Sequence, residues 1–234
     1  MKNITEMTKD EAAGIRFILM DIDDTLTQDG NLPRKSYSAL WDLKDAGLRV
    51  IPVTGRPAGW CDLITREWPV DGVVGENGAL AFWEEDQDEG GRFLKQEFHP
   101  NAVRNDHPTL ERIRIRALAE VPGLRVAKDQ FAQLFDLALD FAEEKPALSL
   151  KEAEKARRIA EEEGAIANIS SISCERMDGD LQQGCHGGAV SFSAFRLAAR
   201  LRRQGSRFCR GFPQRRAHVR PIPPVLRRGK HTPL

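Results

Sequence analysis

The sequence predicts an α/β fold carrying a second, α+β unit, and three observations lead there. Apolar runs of strand length alternate with stretches of helical spacing over residues 15–81, joined by short connections, as in a parallel sheet with right-handed crossovers. From about residue 82 that rhythm gives way to isolated strand and helix signals. Near residue 173 the composition changes: residues 1–180 hold all 35 acidic residues with 23 Lys and Arg, whereas 181–234 hold 12 Lys and Arg and no Asp or Glu. The expected division is therefore 1–81, 82–172 and a basic, poorly ordered tail over 173–234.

The first strand is the apolar run at 15–20, which ends in Asp21 and reads as a buried parallel strand. Residues 32–46 place Tyr37, Leu40 and Leu43 at helical spacing and close on Gly47, a favourable residue just past a helix end. A second strand at 48–53 runs into Thr54, Gly55, Arg56 and Pro57; a helix at 58–68 and a third strand at 71–74 follow, before the turn Gly75-Glu76-Asn77-Gly78. In the second unit, 92–99 and 136–141 read as strands and 108–120 as a helix. Ser149 and Glu152 form a capping box for a helix whose apolar stripe is Ala153, Ala156, Ile159 and Ala160 and whose end is Gly164. A strand at 165–172 comes last.

Composition narrows the function class. With 41% hydrophobic residues, a mean hydropathy of -0.46 and no apolar run near the roughly 20 residues of a membrane helix, a soluble protein is expected. The polar N-terminal segment has no apolar core of an export signal. Cys61, Cys174, Cys185 and Cys209 lack metal-ligand spacing and suit a reducing cytoplasm better than a disulfide framework.

The chemistry gathers at strand ends. The segment DIDDTLT at 21–27 sets Asp21, Asp23 and Asp24 beside two threonines directly after a strand. Carboxylates this close repel one another unless a cation or proton compensates, so a hard divalent metal suits them. Taken alone, the segment fits a solvated acidic turn or a helix cap equally well. Thr54 and Gly55 end the next strand, however, and in a parallel sheet they stand beside Asp21 at the same edge, where a hydroxyl and backbone N–H groups can hold a phosphoryl oxygen. Arg56 is a candidate contact for substrate or phosphate, against the plainer role of a solvated arginine. Asn77 is either a substrate contact or a residue that tolerates the turn's backbone. His99 and His107 read as surface residues and Cys61 as a small buried hydrophobe.

Three segments in order, DIDDTLT at 21–27, VTGRP at 53–57 and GENGA at 75–79, resemble the phosphatases of the haloacid dehalogenase superfamily, in their Cof-like, sugar-phosphate branch. The similarity covers about residues 15–172. It implies a Rossmann-like core, incomplete here, with an inserted α+β cap that selects the substrate. It also implies that Asp21 is a nucleophile forming an aspartyl-phosphate and that Asp23 protonates the leaving oxygen and then activates water. Magnesium would be held by the Asp21 carboxylate and the Asp23 carbonyl, and Thr54 would bind the transferring phosphoryl group of a small phosphorylated metabolite.

Two elements of that family are missing after the cap: a lysine that neutralises the phosphoryl group and a strand ending in GDxxND whose carboxylates complete the magnesium site. Beyond Asp180 there is no acidic residue, and beyond Ile172 Lys230 is the sole lysine. The codons themselves suggest why. Reading the last two bases of each codon with the first of the next, Met177 and Asp178 force TGG, tryptophan. In the same shifted frame 173–186 permits HVNGWMGTYNKVAM, which restores a lysine, 207–219 permits VFVGDSPNDEPMF, which restores the acidic motif, and 225–231 permits SCGVANI. The tail is thus read as an out-of-frame translation, from one extra base or two missing near codon 173. The alternative is a genuine basic extension that binds nucleic acid, which its 12 positive charges would suit although no recognised nucleic-acid motif is present.

Overall fold

The computed structural model describes residues 4–86, 91–169, 173–177, 194 and 196–201. They fall in one compact unit, Met1–Arg203; a second unit, Gln204–Leu234, lies outside the described residues. A short helix α1 (Lys9–Ala13) precedes β1 (Phe17–Asp21), α2 (Arg34–Asp45), β2 (Arg49–Val53), α3 (Ala58–Glu67) and β3 (Val73–Gly75). Then come β4 (Leu80–Asp86), β5 (Arg92–Phe98), α4 (Pro108–Glu120), β6 (Arg125–Val126), β7 (Leu139–Asp140), α5 (Leu150–Glu162), β8 (Ile166–Ile169) and β9 (Ser173–Met177).

The strands form two sheets. The first has the order β1-β2-β3-β4-β5, with β1, β2 and β3 parallel and β4 and β5 antiparallel. Its central strands are buried on both faces, which is why they lack polar alternation: in β2, Val50 packs with Leu40, Cys61 and Ile64 under α2 and α3, while the next residue, Ile51, joins Val74, Ala81 and Trp83 on the opposite face. Residues 196–201 are helical and lay Leu197 and Leu201 on that opposite face. Glu97 of β5 ties them down through Arg196 and Arg200, each at 2.7 Å.

The second sheet has the order β6-β7-β9-β8 and is antiparallel. Against it pack Leu110, Ile113 and Ala117 of α4 and the expected stripe Ala153, Ala156, Ile159 and Ala160 of α5. The Ser149 N–H donates to the Glu152 carboxylate at 2.6 Å, the capping contact read from the sequence.

Three expectations need correction. The hairpin of β4 and β5, placed in the cap by a boundary at 81, extends the first sheet through β3, so the α+β unit begins after Phe98. Ser173–Met177, placed in the tail, pairs with both β7 and β8, so that unit runs to Met177. The first strand is not buried: β1 closes one end of the described sheet, and Leu19 is 50% exposed. A continuous apolar run reports residue type, whereas burial depends on what lies alongside. Here β2 flanks β1 on one side, and the helical residues 196–201 sit over Ile51, Val74, Ala81 and Trp83. No helix among the described residues is long and apolar enough to cross a membrane.

An apolar edge strand is a template for further pairing, and lysine is the usual remedy at such edges. Leu19→Lys is therefore expected to reduce self-association in sedimentation velocity while moving stability by less than about 1 kcal/mol, the range of exposed substitutions. An unchanged sedimentation profile, in a wild type that does associate, would place the association elsewhere.

Candidate active site

Asp21 is in register with Val53, so the residue after β2, Thr54, stands beside the carboxylate at the edge of the sheet. Past Asp21 the chain folds back on one carbonyl. The N–H groups of Thr25, Leu26 and Thr27 donate to the Ile22 oxygen at 3.3, 2.9 and 2.9 Å, and the Thr27 hydroxyl donates to it at 3.1 Å. Asp24 takes a φ of 55°, a left-handed conformation that Asp adopts more readily than most residues. Ile22 and Leu26 are buried by this turn, leaving Asp21 exposed and Asp23 half-buried. Although the residue is exposed overall, partial desolvation of its carboxyl group raises the Asp21 pKa, and the charges of Asp23 and Asp24 push the same way against the Ile22 N–H, which donates to Asp21 Oδ1 at 2.7 Å.

Thr54 is buried, its N–H donating to the Val74 oxygen at 2.9 Å and its hydroxyl accepting from the Arg56 N–H at 3.1 Å. Gly55 lies half-buried between them. Arg56 reaches across to Asp23 in a bidentate pair, Nε to Oδ2 at 3.1 Å and Nη2 to Oδ1 at 2.7 Å, with its guanidinium 4.7 Å from the Trp60 ring centroid. Burial works against the Arg56 cation, but Asp23, assisted by the carboxylates of Glu143 and Asp129, holds its pKa above the ordinary value. Glu143 is itself pushed up by burial and by Asp129, against the pull of Arg56.

The turn after β3 completes the arrangement. Glu76 and Asn77 have φ values of 44° and 54°. The Glu76 carboxylate is buried and accepts from the N–H groups of Ala58 and Leu134, both at 2.9 Å, and of Phe135 at 2.7 Å. Burial pushes this carboxyl up, while the donors, all aimed at a carboxylate, favour its ionised form. The Asn77 side-chain amide donates to Asp136 Oδ2 at 3.2 Å, so the site's candidate substrate contact is bonded to the α+β unit.

The fold thus gathers Asp21, Asp23, Thr54, Gly55 and Arg56 at one sheet edge, with Asn77 joined to it by its N–H to the Thr54 oxygen at 3.2 Å. Sequence reasoning missed Glu76, Trp60, Asp129 and Glu143. For Glu76 the signal was an acid between two glycines at a strand end; for the other three the sequence offers none. As for a metal, the Asp21 carboxylate and the Asp23 carbonyl amount to two oxygen ligands, and no cluster of three His, Cys, Asp or Glu side chains suited to an ion exists among the described residues. Magnesium asks for six oxygens in near-octahedral geometry, so these residues do not make a full site for it. The shifted-frame readings over 178–186, 207–219 and 225–231, and the charges invoked for nucleic-acid binding beyond Leu201, lie outside the described residues.

Comparison with known proteins bears on the fold and the family. No curated protein matches the chain in sequence. Among solved structures, Thermoplasma acidophilum 0175 is similar with a TM-score of 0.57 at 17% identity, over 80% of this chain and 72% of that one. An ATP-bound IMP-nucleotidase of Plasmodium falciparum is similar with a TM-score of 0.51 at 12% identity, over 79% of this chain and 50% of its own. At these identities the likeness is one of fold. The model of the haloacid dehalogenase-like hydrolases matches residues 18–145, more than half of the 234, and spans every residue gathered at the sheet edge. With that match and that fold, the chain belongs to the haloacid dehalogenase-like hydrolases.

Proposed function

We propose that the chain is built as a phosphomonoesterase for small phosphorylated metabolites, sugar phosphates in particular, working through an aspartyl-phosphate on Asp21. The observation that carries this reading is the placement of Asp21 and Thr54 on neighbouring parallel strand ends, with Arg56 gripping Asp23 beside them. In the first step an Asp21 oxygen attacks phosphorus, the bond to the leaving oxygen breaks, and Asp23 gives that oxygen a proton. In the second, Asp23 takes a proton from water as the water oxygen attacks phosphorus, releasing phosphate and Asp21. The Thr54 hydroxyl and the Gly55 and Arg56 backbone are the candidate holders of the phosphoryl oxygens. In this structure both Asp23 oxygens accept from Arg56. An incoming phosphoryl group is the natural competitor for that guanidinium and would free Asp23 to act as the acid.

The reading as a sugar-phosphate phosphatase rests on the resemblance of DIDDTLT, VTGRP and GENGA to the Cof-like branch. Magnesium is the cofactor of this reading, and two ligands hold it weakly. We further infer that translation leaves its frame near codon 173 and that this chain is impaired as a result. Among the described residues no strand pairs with the outer edge of β1, which supports that inference, because in the resembling fold the strand bearing GDxxND lies beside the nucleophile's strand.

The test is to quench a version with the shifted frame restored after Ile172 in acid during turnover of a sugar phosphate. A phosphorylated peptide containing Asp21 is expected. Turnover with the phosphoryl group on another residue, or on none, would overturn the reading.

A further inference from the structure

Two successive residues other than glycine, Glu76 and Asn77, occupy the left-handed region before Gly78, itself at a φ of 99°. Such strain persists where the surroundings hold it in place, and here they do so from two directions. The backbone of the turn holds the candidate phosphate loop: the Glu76 N–H donates to the Arg56 oxygen and the Asn77 N–H to the Thr54 oxygen, both at 3.2 Å. Its side chains hold the α+β unit: Glu76 accepts from Leu134 and Phe135, and Asn77 donates to Asp136. The Glu76 carboxylate also takes the Ala58 N–H at the start of α3, the helix that follows Arg56 and Pro57. With ordinary φ at either residue, the backbone donors and the side chains of the turn would no longer face these two segments together.

We propose that Glu76 is a positioning residue that locks the loop at 133–136 and the loop at 54–56 into one unit, so that the α+β unit sets where Thr54 and Arg56 stand. Through the bidentate pair, Arg56 passes that placement on to Asp23. The catalytic meaning of the coupling rests on the reading of Thr54 and Arg56 as phosphate-binding. The coupling itself is mechanical and can be measured without turnover.

The experiment is amide hydrogen exchange, read by mass spectrometry on the full chain and on Glu76→Gln. The substitution keeps the size of the side chain but replaces one acceptor oxygen with an amide that cannot accept. Exchange is expected to accelerate by about tenfold or more in peptides covering both 133–136 and 53–56, while those of α4 and α5 keep their rates. Acceleration confined to 133–136 would overturn the proposal. So would acceleration that includes α4 and α5 equally, since Glu76 would then support the whole fold and not this link. Should Glu76→Gln fail to fold, Asp136→Asn, which keeps an acceptor for the Leu137 N–H while weakening the Asn77 contact, is read by the same criteria. Failure of the phosphorylated-peptide experiment with coupled exchange intact would remove the function and leave the link.

Discussion

This chain is expected to hydrolyse sugar phosphates at least about 100-fold more slowly than the same chain with the shifted frame restored after Ile172. Loss of one preorganised contact to the transition state costs about 100-fold to 1,000-fold in rate, and two such elements are missing together: the lysine and the GDxxND carboxylates. The two losses need not multiply, since groups that act on one phosphoryl group act as a unit. Asp21, Asp23, Thr54 and Arg56 are assembled all the same. On the proposed reading the shortfall lies in charge neutralisation and in the magnesium ligands, so the restored chain should gain in metal affinity as well as in rate. The matched pair is assayed against a panel of sugar phosphates and phosphorylated carboxylic acids across a range of magnesium concentrations. Equal rates, abolished in both by Asp21→Asn, would mean that the tail supplies catalytic groups of its own and would remove the functional consequence of the proposed frameshift.

The sheet edge was legible because its geometry is local. Two parallel strands joined by one helix must end side by side, so DIDD at 21–24 and TGR at 54–56 could be brought together from spacing alone. The hairpin of β4 and β5 was not legible in the same way. A strand's alternation says which residues face in, not which sheet it joins, and β5 is exposed along most of its length whether it extends one sheet or starts another. Glu76 shows a further limit. Between glycines a glutamate reads as part of a solvated turn, and its burial is decided by the N–H groups of Leu134 and Phe135, 58 and 59 residues away. The Arg56 pair with Asp23 spans 33 residues. Each residue type was in view, but their meeting depends on the long-range path of the chain.

Gly75→Ala is expected to lower stability by about 2–3 kcal/mol, in the upper part of what overpacking costs, and so to lower the melting temperature by roughly 5–10 °C. The cause is steric. Gly75 has a φ of −119°, extended backbone that alanine adopts without strain. A Cβ there would stand 2.3 Å from Cys61 Sγ, 3.0 Å from Leu80 Cδ1 and 3.3 Å from the Arg56 oxygen. Leu80 and Cys61 are both fully buried, and the Arg56 carbonyl already accepts from the Glu76 N–H and the Cys61 thiol. None of the three can step aside cheaply. The shortest contact is to a single sulfur, which makes the cause separable: Cys61→Ala removes that atom and leaves the other two in place. In the double variant the two changes should compensate by about 1 kcal/mol or more relative to their sum, a coupling of the size expected for residues in contact. Urea unfolding of the four proteins measures it. Strict additivity would mean that the strain lies at Leu80 or at the Arg56 carbonyl, and in the second case the loop carrying Thr54 should shift while Cys61 stays where it is.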